Sequence, residues 1–267
     1  MGISVEIHGR TLVVTICRSE ARNAVNPETA KALYQAFLAF EADASVDVAI
    51  LTGDGGTFCA GFDLKAAASG DGQDWIAEVE IPDGWDDALS QAIPGPMGPS
   101  RLMLSKPVIA AVEGYAVAGG IELAAWCDMR VAADTSTFGV FCRRWGVPLI
   151  DGGTVRLPRL LGQGRANDLI LTGRPVSANE AHAMGLVDRV VPEGGALDAA
   201  LDLAESLSRY PQACMRADHL SARMSGPDLA CALTREWQSY ETFLQEGQHG
   251  ASRFAAGKGR SGDFNDI

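Results

Sequence analysis

The stretch Lys106–Arg130, KPVIAAVEGYAVAGGIELAAWCDMR, decides how the chain is read. Pro107 stands at a strand edge, and Val108-Ile109-Ala110-Ala111-Val112 is a continuous apolar run of the kind buried on both faces of a sheet. The chain then turns through Ala116-Val117-Ala118-Gly119-Gly120 and restarts as the helix Ile121–Trp126. A strand feeding through glycines into a helix leaves free backbone N–H groups at the positive end of the helix dipole. Such donors suit a developing oxyanion, because they are in place before the charge appears. Glu122, three residues after Gly119, projects from the first helical turn beside them. A plainer reading also stands: the glycines allow close packing, and Glu122 is a first-turn acid favoured by the dipole.

A second transition of this type lies upstream. Val48-Ala49-Ile50-Leu51-Thr52 reads as a buried strand and runs through Gly53–Gly61 into Phe62-Asp63-Leu64-Lys65, where Asp63 is placed to cap a helix. Before it, Val5–Ile7 and Thr11–Ile16 read as a hairpin, and Arg18–Val25 as a polar loop with two arginines. Asn26-Pro27-Glu28 starts a helix that runs to about Ala42, with Ala30, Leu33, Phe37 and Phe40 on one face. From Ala66 to Ser105 the pattern weakens, which predicts a flexible segment. Its Trp75, Ile76, Ile81 and Trp85 either line a pocket or tuck the loop down.

After Arg130, the runs Met129–Ala133 and Thr137–Val140 predict short strands, and Arg143–Thr154 a glycine-rich turn carrying Asp151. Gly185–Val191 predicts a last strand, followed by helices over 196–254. Strands alternating with helices, then helices alone, make an α/β fold with a helical C-terminal module: a core over 1–195 and an oligomerisation module over 196–267.

At 267 residues with 47% apolar content, the chain can bury a substantial core. A net charge of −12 argues against a nucleic-acid or anionic-membrane partner. The six cysteines form no framework spacing and read as free thiols of a reducing compartment. Neither a signal sequence nor a membrane-spanning run is found, so a soluble cytoplasmic protein is expected. The four histidines stand singly, and no metal site is expected. Gly257-Lys258-Gly259-Arg260-Ser261-Gly262 matches G-x-G-x-x-G only formally, since neither a strand nor a helix frames it.

Taken together, Phe58–Lys65, Lys106–Tyr115, Gly119–Ala124 with Cys127-Asp128, and Leu171–Arg174 with Gly185-Leu186-Val187 resemble the crotonase (enoyl-CoA hydratase/isomerase) superfamily over nearly the whole chain. The resemblance implies a spiral of ββα repeats with a trailing helical trimerisation module, assembled as a homotrimer or homohexamer. It implies an acyl-CoA thioester substrate, with CoA part of the substrate and no separate cofactor. The thioester carbonyl would sit between the N–H groups of Phe62 and Gly119, with Glu122 as acid/base. Ala21, Arg22 and Ala24 would contact CoA, as would Ala60, Gly61, Asp63 and Leu64, and Lys65 would approach its phosphates. A basic segment at Lys258 or Arg260 would reach a neighbouring subunit's CoA, or simply be a solvated tail.

The chain departs from the hydratase pattern at Cys142, which stands where the resemblance implies a second glutamate. Asp151 supplies a second proton-transfer group, or else begins the Gly152-Gly153 turn and caps the following helix. Cys59 and Cys142 are either reactive thiols or inert packed ones, and their apolar neighbours favour packing. Hydration of an enoyl-CoA leads the functional expectation. Isomerisation of an enoyl- or dienoyl-CoA through Glu122 and Asp151, and acyl-CoA binding without catalysis, are the alternatives.

Overall fold

The structure, a computed structural model, describes residues 2–69 and 71–259. Its strands are β1 (Ile3–His8), β2 (Thr11–Ile16), β3 (Val48–Gly53), β4 (Val108–Val112), β5 (Tyr115–Val117), β6 (Met129–Ala133), β7 (Thr137–Gly139), β8 (Val176–Ser177) and β9 (Arg189–Val191). The larger sheet has the order β1-β2-β3-β4-β6-β9, and the smaller β5-β7-β8. Only β1 runs antiparallel in the larger sheet, paired to β2 from Ile3↔Ile16 to His8↔Thr11. It forms the edge, where the solvent-facing Glu6 and His8 discourage further strand addition.

Helices α1 (Pro27–Ala42), α2 (Leu64–Ser69), α3 (Asp71–Glu78), α4 (Gly119–Trp126) and α5 (Gly153–Leu161) lie in the first part of the chain. They are followed by α6 (Gln163–Thr172), α7 (Ala178–Met184), α8 (Ala196–Ser208), α9 (Gln212–Ala222) and α10 (Gly226–Trp237), and Gln248–Ala255 is a closing helix. Both β4–β5 and β6–β7 send their first strand to the larger sheet and their second to the smaller one. The chain therefore climbs as a spiral in which each repeat supplies a strand to each sheet.

Alternation along the buried strands divides the core. Leu12, Val14, Ala49, Leu51, Ala110 and Val112 face α1 and α4, whereas Val13, Ile50, Ile109, Ala111 and Val131 face the other way. That second face is covered by Ala196, Ala200, Leu203 and Ala204 of α8. The helical C-terminal region thus begins as part of the core, and its first helix is inseparable from the sheet.

The start of α1 follows expectation, with Asn26 Oδ1 accepting the Thr29 N–H at 2.9 Å. Two expectations need correction. Strand β9 covers only Arg189–Val191, because Gly185 closes α7 in a left-handed conformation with φ 91°. The 66–105 segment is packed down, not loose. Trp75 Nε1 donates to Pro96 O at 2.9 Å, Trp85 Nε1 to Gln91 O at 2.7 Å, and Gly95–Leu104 is buried throughout. The tryptophans serve as anchors, and of the four apolar residues singled out only Ile76 reaches the main cavity.

Arg130 fixes α4 to the sheet. Its buried guanidinium on β6 donates to Ala124 O (3.2 Å) and Cys127 O (2.8 Å) at the end of α4, to Leu186 O (2.5 Å), and to Asp188 Oδ2 (3.1 Å). Replacing it strands several buried carbonyls at once. Arg130→Leu should destabilise the fold by about 2–4 kcal/mol, read as a lower denaturant midpoint at unchanged slope. An unchanged midpoint would remove this anchor from the account.

Candidate active site

The two strand-to-helix turns meet through the backbone. Cys59 pairs with Ala116, its N–H donating to Tyr115 O at 2.9 Å and its carbonyl accepting from Val117 N at 3.0 Å. Three residues on, Val25 N–H donates to Gly61 O (2.8 Å) and Asp63 N–H to Val25 O (2.9 Å). Between these bonds the Phe62 N–H is left over, and the Gly119 N–H is left over at the first position of α4. Neither donates a hydrogen bond to any of the described residues. Gly61 explains how closely the turns approach. Its φ is 97°, and a Cβ there would lie 2.8 Å from both Gly119 N and Ala118 Cβ. Ala118 itself holds φ 53° and ψ −126°, a conformation that costs a residue with a side chain roughly 1–3 kcal/mol. Backbone strain sits where the N–H group must be aimed.

Glu122 is buried in the first turn of α4, and its Oε1 accepts the N–H groups of Asp151 and Gly153, each at 2.9 Å. Burial holds its proton affinity well above the ordinary carboxylate range. The facing Asp151 and Glu236 charges reinforce this, and the two N–H groups oppose it. With Oε1 committed as acceptor, Oε2 has no partner among the described residues.

Asp151 does not cap α5. Its buried Oδ1 accepts Met97 N–H at 2.8 Å and the Ser100 hydroxyl, leaving Oδ2 unpartnered among the described residues. The capping alternative is therefore not realised, and Gly152 occupies the cap without a side-chain bond. Burial also raises Asp151, but the Ser100 hydroxyl, the Met97 N–H and the guanidinium groups of Arg101 and Arg156 pull it back. Two carboxyl groups, both raised by burial but Asp151 offset by a hydroxyl, an N–H and two guanidinium groups, thus border one space.

That space is a cavity of about 810 Å³. Glu122, Asp151, Phe62 and Gly119 line it, as do Ala21, Arg22, Ala24, Ala60, Asp63, Leu64 and Lys65. Gly61 is the exception: it is buried behind the lining at the junction of the two turns. Arg22 and Lys65 are exposed cations on the rim, suited to anionic groups. The Asp63 carboxylate is already occupied, bridging to Arg18 Nη2 at 2.9 Å and accepting Lys65 N–H at 3.0 Å at the start of α2. It shapes the rim and offers no free charge.

Sequence reading missed Glu236, whose carboxylate comes from α10 to the same turn, accepting Gly152 N–H at 2.5 Å and Thr154 N–H at 2.8 Å. One signal was available: Leu229, Leu233 and Glu236 follow helical spacing, so an acid stands on the apolar face. Met97 was also unanticipated, as was Phe254, which packs on Trp145. These two rings meet edge to face at 5.3 Å beside the cavity. Cys142 lines the cavity, and its thiol is pushed up to about 12, chiefly by burial. Cys59 is likewise pushed up to about 12 by burial. Both are neutral thiols at physiological pH. Lys258 lies in a turn, and Arg260 lies outside the described residues. Among the described residues no helix is long and apolar enough to cross a membrane, and no group of three or more His, Cys, Asp or Glu side chains is placed to hold a metal ion.

The fold and this site can be set beside known proteins. The family model for enoyl-CoA hydratase/isomerase matches residues 6–260. Enoyl-CoA hydratase EchA19 of Mycobacterium tuberculosis is 42% identical over 211 residues, 76% of this chain and 73% of that protein. A carnitinyl-CoA dehydratase of Salmonella agona is 39% identical over 75% of this chain and 72% of its own length. Among solved structures, carnitinyl-CoA hydratase from Mycobacterium avium superposes with a TM-score of 0.82 at 30% identity, covering 96% of this chain and 95% of that one. Enoyl-CoA hydratase EchA1 from Mycobacterium marinum gives 0.72 at 37% identity, covering 96% of each chain. By its sequence, its spiral of repeats and its matched length, this chain belongs to the enoyl-CoA hydratase/isomerase family, with a crotonase fold.

Proposed function

We propose that the protein is a hydratase or dehydratase of acyl-CoA thioesters, with Glu122 as acid, Asp151 as base, and the Phe62 and Gly119 amides as the enolate site. The observation that carries this reading is the pair of unpartnered amides lining one cavity with a buried carboxyl group that shares α4 with the Gly119 amide. A thioester carbonyl between those amides gains negative charge when water adds at C3 and the C2=C3 electron pair moves toward oxygen. Fixed donors stabilise that charge more than the neutral ground state, the condition for catalysis.

The carboxyl groups divide the protons. Asp151, steadied by two nearby guanidinium groups, accepts the proton of the attacking water at Oδ2. Glu122, kept neutral by burial, delivers the Oε2 proton to C2 as the enolate collapses. Read backward, the same steps expel water from a 3-hydroxyacyl ester. Arg22 and Lys65 at the rim suit the phosphates of CoA. Cys142 favours a second reading, double-bond isomerisation. A neutral thiol cannot activate water where the resemblance implies a glutamate, whereas moving a proton between acyl carbons needs no water. A homotrimer or homohexamer accompanies either reading as part of the proposal.

The test follows the ultraviolet absorbance of a short 2-trans-enoyl-CoA. Wild-type enzyme should remove the conjugated-thioester signal, and Glu122→Gln should lower kcat by about 10²–10⁴-fold. A flat trace with wild type, alongside absorbance gained from a 3-enoyl-CoA, would select isomerisation instead.

Asp151→Asn is expected to lower kcat by about 10²-fold or more in either reaction. Turnover equal to wild type would assign Asp151 a purely structural part.

Stability should also report the Glu122 proton. A carboxyl group whose folded pKa lies above its unfolded value of about 4.3 contributes most below that value and loses the contribution as pH rises through the folded one. Glu122→Gln mimics the protonated form, so wild type should lose melting temperature relative to that variant as pH rises. Parallel curves across pH would mean that Glu122 is ionised in the resting protein.

A further inference from the structure

Four consecutive backbone N–H groups, Asp151 to Thr154, are shared alternately by two carboxyl groups from different helices. Glu122 Oε1 takes the first and third, each at 2.9 Å. Glu236 takes the second with Oε1 at 2.5 Å and the fourth with Oε2 at 2.8 Å, and the Thr154 hydroxyl adds a bond to Oε2 at 2.5 Å. The turn is held like a strip between two jaws, and Asp151 is its first residue. We propose that Glu236 is a positioning residue: from α10 it holds the 151–154 turn in the register that presents the Asp151 and Glu122 carboxyl groups to the cavity.

Glu236 contributes charge as well as grip. The groups that face Glu122 are Asp151 and Arg156 from the turn and α5, Cys142 from the 141–145 turn, and Glu236 from α10. Arg101, from the segment beneath α4, faces Asp151 and Glu236. Three carboxyl groups therefore share a buried space with two guanidinium groups, and near-neutrality there requires one retained proton. Burial raises all three, but Asp151 is offset by both arginines, and Glu236 by the Thr154 hydroxyl, two N–H groups and Arg156. Glu122 is steadied mainly by the two N–H groups, so the proton rests on Glu122. Ionised Glu236 opposes its loss.

The two contributions separate by substitution. Glu236→Gln retains size and one acceptor but removes the charge. Glu236→Asp retains the charge but shortens the reach. The proposal rests on Glu122 being the acid of the reaction. The primary readout therefore needs no substrate: carbon-13 NMR of the side-chain carboxyl groups in the full-length protein, with the Glu122 signal assigned through Glu122→Gln.

Glu236→Gln should move the Glu122 titration to lower pH, while Glu236→Asp should leave its midpoint in place. In the enoyl-CoA assay Glu236→Asp should lower kcat by up to about 100-fold, with little change in KM, because the turn is displaced and not the CoA site. An unmoved Glu122 midpoint in Glu236→Gln, with kcat in Glu236→Asp matching wild type, would overturn the proposal. If Glu236→Gln fails to fold, the kcat and KM of Glu236→Asp decide the positioning role. Should Glu122→Gln turn over enoyl-CoA normally, the proposed function fails while the NMR result on Glu236 still stands.

Discussion

The site depends on one constraint: the Phe62 and Gly119 amides stay unpaired between backbone bonds that fix both turns. An unsatisfied buried N–H is costly, so the surroundings must be held firmly enough that neither turn can rotate to satisfy its own donor. The bonds linking Cys59 to Tyr115 and Val117, and Val25 to Gly61 and Asp63, supply that restraint. Gly61 lets the turns touch, and Ala118 carries the strain. The larger sheet and α8 form the floor on which these two turns are mounted.

The second layer of organisation is electrostatic. Glu122, Asp151, Glu236, Arg101 and Arg156 come from distant parts of the chain and meet around one four-residue turn. Such a cluster is a poor way to gain stability, since each charge gives up hydration. Its effect is instead to raise the proton affinity of all three carboxyl groups, with Glu122 held well above its ordinary range. A helix N-terminus capped by two acids from elsewhere also makes the position of α5 depend on α4 and α10 together.

Cys142 shows how far family membership reaches. The fold hosts more than one acyl-CoA chemistry, so the reaction must be argued from the groups that face the cavity. A neutral thiol at that position leaves Glu122 without the carboxylate partner the resemblance implies. Asp151, approaching from the following turn, occupies the same cavity and is the group available to replace it.

Much was legible in sequence because it is local. Buried strands announce themselves by continuous apolar runs, α1 by its Asn-Pro-Glu start, and the two cavity-lining turns by small residues between strand and helix. Glu122 follows from its offset to Gly119. The packed 66–105 segment was not legible, because its order comes from two indole N–H groups finding carbonyl partners, one of them 21 residues away. Glu236 was not legible as a partner of the turn either: 84 residues separate it from Gly152, and an acid on an apolar helix face does not name what it bonds. Sequence by itself determined most of the repeating strands and helices and the family, since these depend on neighbours along the chain. Only the tertiary structure decided which carboxyl oxygens are committed, which groups line the cavity and how far burial raises them, because those depend on burial and on charges brought together by folding.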